Sequence, residues 1–237
     1  IPPQLTDHWH AAYAFQLCST TADYAVRGTL EDVDANGRLI DTAFRTTGVH
    51  SHTDGVIHWH PYAVGAVGRR AKLGVFNENY GINVSEKRLE LPEGRVVSLL
   101  GGTSTPVAAD FPLVYETGVT KCNINGQEKD GSVKLVVWSD HRDPDSQATY
   151  YTSFDDIPFN RNGMAITYAF VPDDVDVVRP SWWADLDRLG SLDGGVTVTI
   201  PEDLEPGEAA VGTAVAGTDL DGTGVDATVA AAAGTAD

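Results

Sequence analysis

Glycine, proline, asparagine and aspartate interrupt this sequence about every ten residues, and the stretches between them favour strands. That rhythm leaves little room for long helices or for strand–helix–strand units, which need longer uninterrupted segments. The chain is therefore expected to be all-β, mainly an antiparallel sandwich or barrel, with one or two short helices. Residues 8–17 (HWHAAYAFQL) alternate in the sense of a half-buried strand, with His8, His10, Ala12 and Ala14 on one face and Trp9, Ala11, Tyr13 and Phe15 on the other. Residues 133–138, 164–171 and 195–200 carry the β-branched and aromatic content of further strands. Helix signals are confined to Leu73–Tyr80 and to the segment Trp182–Leu189, where Ser181 is positioned as a cap.

Of the 237 residues, 42% are hydrophobic, enough to bury a core. The texture changes near Glu202, and residues 207–237 contain no aromatic side chain. We expect a β-rich domain over residues 1–201 and an acidic, Gly/Ala/Thr-rich segment over 202–237, either a flexible tail or an arm that docks on a neighbour.

The histidines are the strongest chemical signal. Six of the seven fall into three H-x-H pairs: His8/His10, His50/His52 and His58/His60. Because strand side chains alternate, each pair presents both imidazoles on one face, ready to chelate a borderline cation. Residues 50–60 (HSHTDGVIHWH) form a hairpin pattern. A two-residue loop at Asp54-Gly55 would send the two pairs to opposite sides of the ribbon. A three-residue loop, with Gly55 left-handed, opposes His50 to His58 and gathers all four rings on one face; this register separates polar from apolar residues and is the one expected. If residues 8–17 lie beside this hairpin, His8 and His10 join it. Six imidazoles exceed the three or four ligands of one zinc or copper ion, so some would act from behind the ligands or the site would hold two ions. Asp7 and Asp54 are the carboxylates placed to orient a ring. A structural or pH-responsive polar cluster is the competing account. His141, in a loop of charged residues, is expected to be solvated.

Two cysteines, Cys18 and Cys122, are expected to form a disulfide rather than remain as two buried thiols. A bridge of that span favours an oxidising compartment. Ile1-Pro2-Pro3 opens without a charged or apolar leader, so the chain is expected to be a mature form, secreted or held at the cell surface after signal removal. With 34 acidic against 16 basic residues the formal charge is −18, which suits metal cations and argues against nucleic acid. No run of 18 apolar residues is present, so membrane insertion is not expected.

Asp32-Val33-Asp34-Ala35-Asn36-Gly37 matches the opening of a calcium loop, with Asp32, Asp34 and Asn36 as candidate ligands. The twelfth position is Ala43, which carries no carboxylate, and a turn at Asn36-Gly37 accounts for the segment equally well. Asp219-Leu220-Asp221-Gly222 is a weaker version. No phosphate loop, dinucleotide fingerprint or nucleophile elbow occurs.

At Asp7–His10, His50–Pro61 and Leu73-Gly74-Val75-Phe76 the chain resembles a family of mostly uncharacterised exported bacterial proteins of actinobacterial type. Their pattern is an H-x-H strand, then HTH-x-x-G-x-IH-x-H, then LG-x-F. Cys18, Cys122-Asn123-Ile124-Asn125-Gly126 and Ile166–Pro172 fit the same pattern, and the resemblance spans residues 7–190. It implies export and a bound metal, and no particular reaction. The chain departs from it at Asn77-Glu78-Asn79, where members often carry a second aromatic. A cupin site would place a glutamate soon after its H-x-H, and none is present.

The expected function is thus a secreted or surface protein that binds copper or zinc through His8, His10, His50, His52, His58 and His60. The alternatives are a metalloenzyme, and a subunit of a surface assembly or homo-oligomer stapled by metal and joined through the C-terminal segment.

Overall fold

The structure is a computed structural model that describes residues 2–5, 7–28, 41–61 and 64–191. In chain order the strands are β1 (Trp9–Leu17), β2 (Tyr24–Val26), β3 (Val49–His50), β4 (Val56–Trp59), β5 (Asn83–Val84), β6 (Arg88–Glu90), β7 (Val96–Ser98), β8 (Thr105–Pro106), β9 (Val114–Glu116), β10 (Lys121–Ile124), β11 (Gln127–Asp130), β12 (Ser132–Trp138), β13 (Gln147–Tyr150) and β14 (Met164–Val171). The helices α1 (Thr42–Thr47), α2 (Leu73–Tyr80) and α3 (Leu186–Ser191) are short. The fold is all-β and rich in antiparallel pairings, as its turn rhythm requires.

Nine strands form one sheet along the path β13-β12-β14-β1-β2-β7-β8, with β3 and β4 branching from it at β1. The strand β1 is its hub. One edge runs parallel to β14, from Ala11 opposite Met164 to Leu17 opposite Phe170. Its other edge divides: residues 9–12 pair antiparallel with β4, and Phe15 pairs with Tyr24 of β2. Two small sheets, β5-β6-β9 and β10-β11, complete the pairings.

The half-burial expected of β1 is not what the fold provides, because Ala11–Leu17 are buried on both faces. On one face Tyr13 and Phe15 meet Phe76 and Tyr168, with ring centroids 4.8 and 5.1 Å apart. The opposite face carries small Ala12 and Ala14, and the later backbone crosses over it. There Gln16 donates to the carbonyls of Ser19 and Asp176 and accepts from the Val178 amide at 2.9 Å, while Thr167 donates to the Val178 carbonyl. A buried glutamine is tolerated because its amide is satisfied by main chain.

Cys18, just past β1, is bonded to Cys122 of β10 across 104 residues of sequence. The helix α2 coincides with the Leu73–Tyr80 signal. Ser181 does not cap the later helix; its hydroxyl bonds Asp23, and a 3-10 turn at Trp183–Asp185 leads into α3. Among the described residues no helix is long and apolar enough to cross a membrane. The candidate calcium ligands Asp32, Asp34 and Asn36, the strand expected at 195–200, the Asp219–Gly222 motif and the segment 202–237 lie outside the described residues.

Candidate metal centre

The hairpin adopts the three-residue-loop register. His50 lies opposite His58, and Val49 opposite Trp59. Gly55 takes φ +73°, the left-handed value that register needs, and Thr53 takes φ +70°. A non-glycine residue there is strained, and Thr53 is held by accepting a 2.7 Å hydrogen bond on its hydroxyl from the Gly28 amide. The Gly55 carbonyl accepts from the Tyr13 amide and from the Trp182 indole, both at 2.8 Å. A side chain at Gly55 would run into that indole ring.

Pairing of β1 with β4 carries the row across a third strand, because His10 lies opposite His58. Three strands thus place His50, His58 and His10 abreast. Alternation then brings His60 beside His8, their ring centroids 3.8 Å apart. All six histidines of the H-x-H pairs converge. They form two triads: His50, His52 and His58, and His8, His10 and His60, and within each triad one ring nitrogen per residue lies within 4.8 Å of the others. Either triad could hold a metal ion.

In the first triad the Nε2 atoms of His50 and His52 are 3.0 Å apart. Two imidazole nitrogens bound at 2.0–2.1 Å in tetrahedral geometry stand roughly 3.3 Å apart, so this pair already has about the spacing of a chelate. His50 Nδ1 sits 3.4 Å from the Gly48 carbonyl, and donating there leaves the lone pair on Nε2. His58 Nε2 lies 3.0 Å from Asp54 Oδ2, which leaves Nδ1 as its lone-pair nitrogen. Asp54 also accepts from the Val56 amide at 2.9 Å, so the carboxylate is fixed before it orients the ring. Burial pushes the Asp54 carboxyl up. The attraction and hydrogen bond of neighbouring His58, the Val56 amide and the attraction of His52 together outweigh burial and hold its pKa below the ordinary carboxylate value. Asp7, the other carboxylate singled out, instead accepts a 2.7 Å hydrogen bond from the Gln4 amide.

The back of the hairpin is equally fixed. Ser51 donates its amide to the Tyr80 hydroxyl at 2.7 Å, and that hydroxyl donates to the Ser51 carbonyl at 3.0 Å. Burial pushes the Tyr80 and Tyr13 hydroxyls well above their ordinary pKa, so both stay neutral. Trp59 stacks on Phe159 at 4.3 Å and donates its indole N–H to Ala66.

The two triads differ in exposure. His50 and His58 are fully buried, and Phe44 of α1 packs edge-on against His50 at 5.0 Å. His8 is exposed, and His8 and His10 line a cavity of about 630 Å³ whose other walls include Asp140, His141, Asn162 and Asp187. Asn162 accepts the His10 amide at 2.8 Å. The helix α3 roofs this triad closely: a Cβ on Gly190 would stand 2.7 Å from His10 Nδ1.

His141 is not solvated. It is 3% exposed, with Nδ1 2.9 Å from the Gly163 carbonyl, because the Asn162–Gly163 turn folds over it. Phe44, Asn162 and Gly190 were not legible as site residues, since their roles arise from long-range packing; only the turn character of Asn162-Gly163 marked that loop. No protein-family model, curated protein or solved structure matches this chain.

Proposed function

We propose that this is an exported metal-binding protein that holds copper or zinc through its histidine cluster. One observation carries the reading: His50, His52 and His58 offer three ring nitrogens mutually within 4.8 Å, in a buried setting. Three ring nitrogens gathered at one point are what a borderline cation needs, and a single ion can take all three as ligands. All-imidazole ligation suits copper and zinc, and the affinity order of divalent metals favours copper. The disulfide is consistent with an oxidising compartment, and the family resemblance at the same histidines points the same way.

A catalytic use of the metal is the second reading, and the cavity against His8 and His10 favours it, since a coordination position facing a cavity is what an activated water or substrate needs. The surface-assembly reading depends on residues 202–237, outside the described residues.

Elemental analysis of untagged protein, alongside titration of stripped protein with Cu(II) and Zn(II), tests the main reading. At least one tightly held equivalent is expected, and the alanine variant of His52 should weaken it at least tenfold. Stripped protein that takes up neither metal would end the reading.

A further inference from the structure

We propose that the six histidines form one two-ion centre with unequal halves: a closed inner ion on His50, His52 and His58, and an outer ion on His8, His10 and His60 that is open to an exogenous ligand. This deepens the metal-binding reading and rests on it.

Ligand arithmetic argues for two ions. Zinc and copper take about four ligands, so six imidazoles are too many for one, while three to each of two leave a further position that burial closes at the inner triad and solvent can reach at the outer one. The ring nitrogens divide accordingly into two triads. The triads also touch: His10 and His58, one from each, have centroids 5.0 Å apart, and His50 and His60, again one from each, stand at 5.3 Å. The shared row His50–His58–His10 across three strands makes this adjacency a property of the sheet ladder, because moving one triad relative to the other would require breaking the β1–β4 pairing. Two ions seated here would be near neighbours, close enough for the charge of the inner ion to act on a ligand held by the outer one.

The halves are unequal for separate reasons. The inner triad has two fully buried rings, Phe44 packed against one and Asp54 behind another. The outer triad includes exposed His8 and opens, through His8 and His10, onto the cavity. Six neutral imidazoles leave the charge of two divalent ions uncompensated, which favours an anionic ligand. Asp140 and Asp187 on the cavity wall supply part of that compensation, Asp187 shared with Arg142. The ligand class assigned to the outer ion is therefore water, hydroxide or another small anion.

The experiment uses the full untagged chain, stripped by chelator and reloaded with Cu(II), with bound equivalents counted after desalting. Two per chain are expected. One per chain would overturn the two-ion centre while leaving the metal-binding reading intact, and none would overturn both. The variants H8A and H52A, at positions that are not fully buried, are each expected to weaken one equivalent at least tenfold and to spare the other. If both variants weaken the same equivalent, the division into triads is wrong. Azide is the ligand probe: it should shift the visible spectrum of H52A protein, which retains the outer ion, and leave H8A protein unchanged. The reverse pattern would overturn the assignment of open and closed halves. Paramagnetic resonance of the fully loaded protein reports adjacency: a broadened or reduced signal supports neighbouring ions, and two independent full-intensity Cu(II) signals refute them.

Discussion

At the scale of single residues, the centre depends on what stands behind the imidazoles as much as on the rings themselves. Asp54 fixes His58 through a 3.0 Å contact while its other oxygen accepts the Val56 amide at 2.9 Å. Asp54→Asn keeps the shape and removes the charge, so metal affinity should fall about 10- to 100-fold with the fold intact. Competition titration against a chromogenic chelator measures this, and unchanged affinity would show that the carboxylate only braces the turn. The candidate ligands were visible in the sequence because their geometry is local: an H-x-H spacing fixes direction wherever a strand forms. The supporting residues were not equally visible. Asp54 could be named because it lies inside the hairpin, whereas Phe44 reaches His50 from a helix and Gly190 reaches His10 from the last described element. Asp7 stands beside His8 in sequence, yet the backbone near it uses its carboxylate for the Gln4 amide instead.

Among the elements, the β3–β4 hairpin was legible to its register, since Asp-Gly at the turn and the segregation of faces select one pairing. Gly55 bears that register physically. Gly55→Ala must hold φ near +73° with a Cβ and displace the Trp182 indole, so it should lower stability by about 1–2 kcal/mol from the backbone alone, with overlap adding to that. A shifted urea midpoint is the expected readout; an unmoved midpoint would mean that the loop relaxes freely. The double-sided burial of β1 escaped sequence reasoning for the opposite reason. Alanines at 12 and 14 look like the modest face of a surface strand, yet their smallness is what lets the backbone at Asp176–Val178 pass over the sheet and satisfy Gln16. Periodicity reports which residues share a face and is silent about what later covers it.

For the whole molecule, one covalent link and a large net charge set the response to conditions. Replacing both Cys18 and Cys122 by serine opens a ring spanning 104 positions and should cost about 4–5 kcal/mol on the chain-entropy account, read as a lower denaturation midpoint. No loss would mean that the sheet alone restrains that loop. A formal charge of −18 makes the folded state repel itself, so raising salt from about 0.01 to 0.15 M, which shortens the screening length from about 30 to 8 Å, should raise the melting temperature. A flat or falling curve would show that local ion pairs dominate. The parallel pairing of β1 with β14 has a kinetic consequence. Ala11 finds its neighbour at Met164, so one edge of β1 stays unpaired until β14 is in place, although its other edge can already hold β2 and β4. Such high contact order slows folding, and it leaves completion of the main sheet, unlike the more local meeting of His10 with His58 through β1 and β4, waiting for nearly the whole described chain.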